Sequence, residues 1–203
     1  MTARIEPPAG DEIQVWKVAL GEGGRAAARA ALGALLAQYL GTAEPPQLTV
    51  DGSGKPRVAA DASAGGPGDG AAGPISFNLS HSGELALIAV AAGGVEVGVD
   101  VERLRPRRDP ARLAARWLPE ADAAAVASAA AAEREKVFYA AWTRHEARVK
   151  CTGAGLSGPA PPESIVARQL DIGPGYAAAV AFDRGALGGR EPQIKRFGIP
   201  ARG

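Results

Sequence analysis

The sequence predicts an α+β fold, and three observations support it. Valines recur at 95, 97, 99 and 101, the period of two expected of a strand with one buried face. A stretch from about Glu133 to Cys151 contains no glycine or proline and ends near Gly153, as a long helix would. Runs that read as strand, helix and strand occur in both halves, with no fixed-period repeat.

In chain order, Ile13 to Leu20 alternates weakly and reads as a strand, which Gly21 to Gly24 interrupts. Arg25 to Leu40 places Leu32, Leu35, Leu36, Tyr39 and Leu40 at helical spacing and is closed by Gly41. Leu48 to Val58 is extended around Asp51-Gly52-Ser53-Gly54, a hairpin-like turn with Lys55-Pro56 at its exit. Ala59 to Gly73 holds only Ala, Gly, Asp, Ser and Pro, so it reads as an unstructured loop. Phe77 to Leu79 and Leu85 to Ala91 read as strands flanking a polar turn, Ser80-His81-Ser82-Gly83. Asp109-Pro110 starts a helix to Trp117, Glu120 to Ala132 reads as an alanine-rich helix, and Ile165–Leu170, 176–182 and 193–197 read as strands.

Composition narrows the function classes. The 203 residues suffice for one large domain or two small lobes. Lys and Arg number 23 against 22 Asp and Glu, so the net charge of +1 gives no electrostatic case for nucleic acid or a membrane surface. Residues 1 to 14 hold two adjacent prolines and no apolar run, so neither a signal peptide nor a membrane span is expected. The single Cys151 cannot pair within the chain, which points to a soluble, cytoplasmic protein.

Asp100 and Glu102 share one face of a strand, roughly 7 Å apart at about 3.3 Å per residue, so they can offer oxygens to a hard cation such as Mg²⁺ or form a solvated edge. Glu146 and Lys150, at i and i+4 on the long helix, read as a surface ion pair or as a general base beside a phosphate-neutralising cation. Ser80, His81 and Ser82 can donate to an anion or simply build a turn. Adjacent Ser and His disfavour a hydrolytic triad, and no G-x-S-x-G elbow occurs. Neither glycine-rich phosphate-loop motif is present.

Taken in order, GKP at 54–56, FNLSHSG at 77–83, VGVDVER at 97–103 and FYAAWTRHEARVKCTGAGL at 138–156 resemble the 4'-phosphopantetheinyl transferases. The resemblance is to their larger, single-chain, pseudo-dimeric, surfactin-synthetase-activating type, which activates carrier proteins of secondary-metabolite biosynthesis. It implies two similar lobes related by a pseudo-two-fold, about 1–95 and 96–203, each with a small antiparallel sheet on a long helix and the active site in the cleft between them. It implies Mg²⁺ on Asp100, Glu102 and Glu146, with Glu146 and Lys150 catalytic. Coenzyme A would contact Lys150, His145, Ser80 and His81, Lys55 and Pro56 at the adenine end, and Arg29. The partners implied are coenzyme A and an acyl or peptidyl carrier protein, with a monomer as the working unit.

Two departures stand out. His145 occupies a position where the family's W-[ST]-x-K-E motif has lysine, which makes phosphate stabilisation pH-dependent if the histidine takes over that role. The basic segment before the first helix is short, leaving Arg25 and Arg29. Both departures also fit a degenerate coenzyme A or carrier-protein binding module with little turnover.

Overall fold

A computed structural model describes residues 5–59 and 74–199. The expected loop at 59–73 lies, apart from Ala59, outside the described residues.

Strand β1 (Glu12–Ala19) leads through a short 3-10 turn into helix α1 (Gly24–Leu40). Strands β2 (Leu48–Val50) and β3 (Pro56–Val58) form a hairpin on their own. Then come β4 (Ser76–Ser82), β5 (Leu85–Ala91) and β6 (Val97–Arg103). Helices α2 (Pro110–Trp117), α3 (Glu120–Ser128) and α4 (Arg134–Thr152) precede β7 (Ile165–Leu170), β8 (Tyr176–Asp183) and β9 (Gln193–Ile199).

The strands make a four-stranded sheet ordered β4-β5-β1-β9 and a three-stranded sheet ordered β6-β8-β7. Their inner faces meet in one core in which Ile13, Val15 and Leu87 pack with Val97, Val99, Val101, Val180 and Phe182. Each such side chain removed from water contributes about 1.5–3 kcal/mol. The outer face of the first sheet packs on Leu32, Leu35 and Leu36 of α1, and that of the second on Ala147 and Cys151 of α4. The order of layers is therefore helix, sheet, sheet, helix. β9 returns from the end of the chain to pair in parallel with β1, and Phe197 stacks on Trp16 at 4.5 Å. The first sheet thus takes a strand from beyond the expected boundary at residue 95.

Two local expectations need correction. Ser80, His81 and Ser82 are strand residues, paired with Leu87, Ala86 and Leu85, and Gly83-Glu84 alone makes the turn. The alanine-rich helix stops at Ser128, whose hydroxyl donates to Ala124 O and Ala125 O, and the chain continues extended at Ala129. Serine competes for helical carbonyls in this way, and alanine content alone could not reveal the stop. Where Asp109 caps α2, the expectation holds: its carboxylate accepts from Arg112 N, with Pro110 in the first turn.

β6 is an edge strand, bonded to β8 on one side. Its other side is closed by side chains of β4. Asn78 Oδ1 accepts from Val99 N at 2.9 Å, Ser80 Oγ from Val101 N at 3.3 Å, and Ser82 Oγ from Arg103 N at 3.0 Å. Backbone donors that an edge would leave unpaired are thereby satisfied without a backbone ladder. This polar seam joins the two sheets and carries the candidate site.

Candidate active site

α4 lies across the three-stranded sheet with Thr143, Ala147 and Cys151 facing it, all buried. Gly98 makes the contact close. A Cβ built there would stand 2.1 Å from Ala147 O and 2.4 Å from Cys151 N, so no other residue lets the helix approach β6 this far. Two residues further along β6 comes Asp100, and the flank of α4 carrying Glu146 and Lys150 reaches over it.

Asp100 is 3% exposed. Its Oδ1 accepts from Lys150 Nζ at 2.6 Å and from Ser80 Oγ at 2.9 Å, whereas Oδ2 is buried with no hydrogen-bond partner among the described residues. Lys150 also donates to Ser80 Oγ at 3.0 Å. Ser80 therefore uses its one donor and both acceptor positions, on Asp100, Lys150 and Val101 N. Glu102 Oε2 accepts from Ser82 Oγ at 3.0 Å.

The electrostatics follow from crowding acid groups in a buried place. Burial lifts the Asp100 carboxyl above its ordinary range, although Lys150 and Ser80 pull the other way. Glu146 is raised as well, first by burial and then by the charge of Asp100, with Lys150 opposing and Glu102 adding to the rise. Asp100, Glu102 and Glu146 thus sense one another, and they are the oxygen donors this region offers to a cation. As the side chains stand, no group of three His, Cys, Asp or Glu among the described residues is drawn closely enough together to hold a metal ion.

The remaining candidates lie elsewhere. His81 follows Ser80 on β4, so the two point to opposite faces of the strand. Arg29 is on the exposed side of α1, the helix that backs the outer face of the first sheet. His145 lies on the other flank of α4, lining a cavity of about 360 Å³ with Asp122, Arg144, Arg148 and Glu163. Burial, and then the Arg148 charge, hold its imidazole below its ordinary pKa, with Asp122 opposing. Pro56 opens β3 opposite Val50. Lys55 is 2% exposed and directed inward, bonded to Glu96 Oε2, Val97 O and Cys151 O.

Sequence reasoning placed Glu96 and Gly98 on the face of Asp100 and Glu102 without giving them a role, and gave none to Asn78. One signal for them exists: polar side chains at 76, 78, 80 and 82 mirror Glu96, Gly98, Asp100 and Glu102 at a constant offset of twenty, the register of two strands lying alongside each other.

The fold and site define an α+β protein in which a strand and a helix join a buried aspartate to a lysine, Asp100 to Lys150, with Glu102 and Glu146 close enough for their charges to be felt. Residues 96–189, which include all four of those side chains, match the model of the 4'-phosphopantetheinyl transferase superfamily. Among curated proteins, the chain is similar to the 4'-phosphopantetheinyl transferase HetI of a Nostoc species, at 35% identity over 64% of this chain and 52% of HetI. It is also similar to the 4'-phosphopantetheinyl transferase AcpT of Salmonella typhimurium, at 32% identity over 53% of this chain and 50% of AcpT. A 4'-phosphopantetheinyl transferase of Bacillus pumilus shares 35% identity over 40% of this chain and 33% of its own length. The chain spans between about a third and about half of the length of the curated relatives it matches. Among the described residues, no helix is long and apolar enough to cross a membrane.

Proposed function

We propose that this chain transfers the 4'-phosphopantetheine group of coenzyme A to a serine of an acyl or peptidyl carrier protein, with Mg²⁺, releasing 3',5'-ADP. The observation that carries the reading is the buried Asp100–Lys150 pair, with Glu146 feeling the charges of Asp100 and Glu102, within the segment that matches the superfamily model.

The donor set suits a hard divalent cation. It is all oxygen, Asp100 Oδ2 is a buried acceptor without a partner among the described residues, and the carboxyls of Asp100 and Glu146 are held above their ordinary range, first by burial and then by neighbouring negative charge, which two positive charges would offset. Asp100, Glu102 and Glu146 would hold the ion, which when bound supplies charge neutralisation for a diphosphate. Glu146, its affinity for a proton raised, takes the proton of the carrier serine hydroxyl. The serine oxygen forms its bond to phosphorus as the phosphorus–oxygen bond to 3',5'-ADP breaks, and the electron pair leaves with that product. Lys150, partly exposed beside its pairing with Asp100, neutralises the leaving oxygens.

The reading takes the chain as the single-chain, pseudo-dimeric type, a cytoplasmic monomer in secondary-metabolite biosynthesis, and the helix-backed sheet on either side of the seam supports the first of these. Intact-mass measurement tests the activity. An apo carrier protein incubated with this chain, coenzyme A and Mg²⁺ gains the mass of one phosphopantetheine group, and a carrier left unmodified overturns the proposal.

A further inference from the structure

The Lys55 ammonium has three N–H donors and three acceptors, and it is 2% exposed. One donor goes to Glu96 Oε2, one to Val97 O at 2.8 Å and one to Cys151 O at 3.1 Å. These partners belong to different elements. Val97 opens β6, and Cys151 is in the last turn of α4, where carbonyls have no partner within the helix and a cation is favoured by the helix dipole.

The rest of the hairpin is built to keep Lys55 in place. Asp51 Oδ1 accepts from Ser53 N, Ser53 Oγ and Lys55 N, and Asp51 Oδ2 accepts from Arg57 Nε at 2.8 Å. Arg57 also reaches Glu96 Oε1, and Ser76 donates to Glu96 Oε2. Burial alone would raise the Glu96 carboxyl, yet Arg57 and Lys55 hold it below its ordinary range. At Gly153, which ends α4 at φ 77°, a Cβ would stand 2.4 Å from Ser53 Oγ, so the hairpin tip sits directly against the helix end.

We propose that Lys55 is a positioning residue whose ammonium fixes the end of α4 against the head of β6, and so holds Glu146 and Lys150 across from Asp100 and Glu102, without itself touching coenzyme A. Contact with the coenzyme would require Lys55 to abandon the half-buried Glu96 carboxylate and leave the Val97 and Cys151 carbonyls without its ammonium, which is costly at each group. The placement stands on geometry alone, and its catalytic consequence rests on the function proposed above.

The test compares wild type with Lys55→Met and Lys55→Arg in the full chain. Hydrogen exchange read by mass spectrometry gives the first measurement. In Lys55→Met, exchange in segments 96–103 and 146–153 speeds up by about tenfold or more while α1 is unchanged. Carrier modification gives the second. There kcat falls about tenfold with KM for coenzyme A within about twofold, and Lys55→Arg recovers part of the loss. A KM raised about tenfold with kcat and exchange unchanged overturns the proposal and makes Lys55 a coenzyme ligand. Uniform acceleration in every segment also overturns it, because the lysine then supports the fold as a whole. Should Lys55→Met fail to fold, Glu96→Gln, which removes the charge partner at constant volume, is read against the same two outcomes. If wild type transfers nothing, the function proposed above fails while the exchange measurement still decides the role of Lys55.

Discussion

Lys150, on α4, donates to Asp100 Oδ1 at 2.6 Å, joining groups fifty residues apart in the chain. The carboxylate is almost wholly buried and its other oxygen has no partner among the described residues, so the lysine is its principal counter-charge.

Replacing that lysine therefore leaves a buried charge exposed to no compensating group. Lys150→Met is expected to lower stability by about 2 kcal/mol at neutral pH, read by urea denaturation. The loss shrinks as pH is lowered and Asp100 takes up a proton.

Glu146 has a folded pKa above its unfolded value, so the folded state binds the proton more tightly. Its stabilising contribution is present below the unfolded value of about 4 and is lost as pH rises through the folded pKa. Glu146→Gln removes that loss. At pH 7 its melting temperature is expected to exceed that of wild type by about 2–4 °C, the scale of 1 kcal/mol in a protein of this size, while carrier modification is abolished.

Gly98 tests the close approach of α4 to β6. A methyl group there meets backbone, which cannot swing aside as a flexible side chain can. Gly98→Ala is expected to cost about 2–3 kcal/mol by chemical denaturation, whereas alanine at Gly52, which has open space around it, changes stability by less than about 0.5 kcal/mol.

His145 has a depressed pKa and lines a cavity on the flank of α4 away from Glu146 and Lys150. As pH falls from about 6.5 through its folded pKa, the unfolded state gains the proton first and wild type loses stability, a loss that His145→Gln removes. Because Arg144, Arg148, Asp122 and Glu163 surround it rather than the carboxylate cluster, His145→Lys is expected to change carrier modification by the same factor at about pH 6 and about pH 8. A ratio that changes between the two would return the histidine to the phosphate site.

Much of this arrangement was legible because it is local. Valines at every second position gave β6 its buried face and put Asp100 and Glu102 on the other, and Asp109-Pro110 marked the start of α2. What was not legible depends on partners distant in sequence. Nothing in residues 193–199 says that they pair in parallel with β1, and nothing around Lys55 says that Cys151 O, ninety-six residues away, is its acceptor. The polar run at 80–83 reads as a turn because serines on either side of a histidine, followed by glycine, are unusual in a strand. The reason for those serines lies across the seam, in the edge donors of β6.

The central claim is that Asp100, Glu102 and Glu146 close on one divalent ion beside a diphosphate. Titration with Mn²⁺ in the presence of coenzyme A, following the free ion by electron paramagnetic resonance, measures that convergence. Wild type should show a tight site that weakens by about tenfold or more in each of Asp100→Asn, Glu102→Gln and Glu146→Gln. Unchanged affinity in Glu146→Gln would mean that the helix takes no part in the site, and would contradict the account.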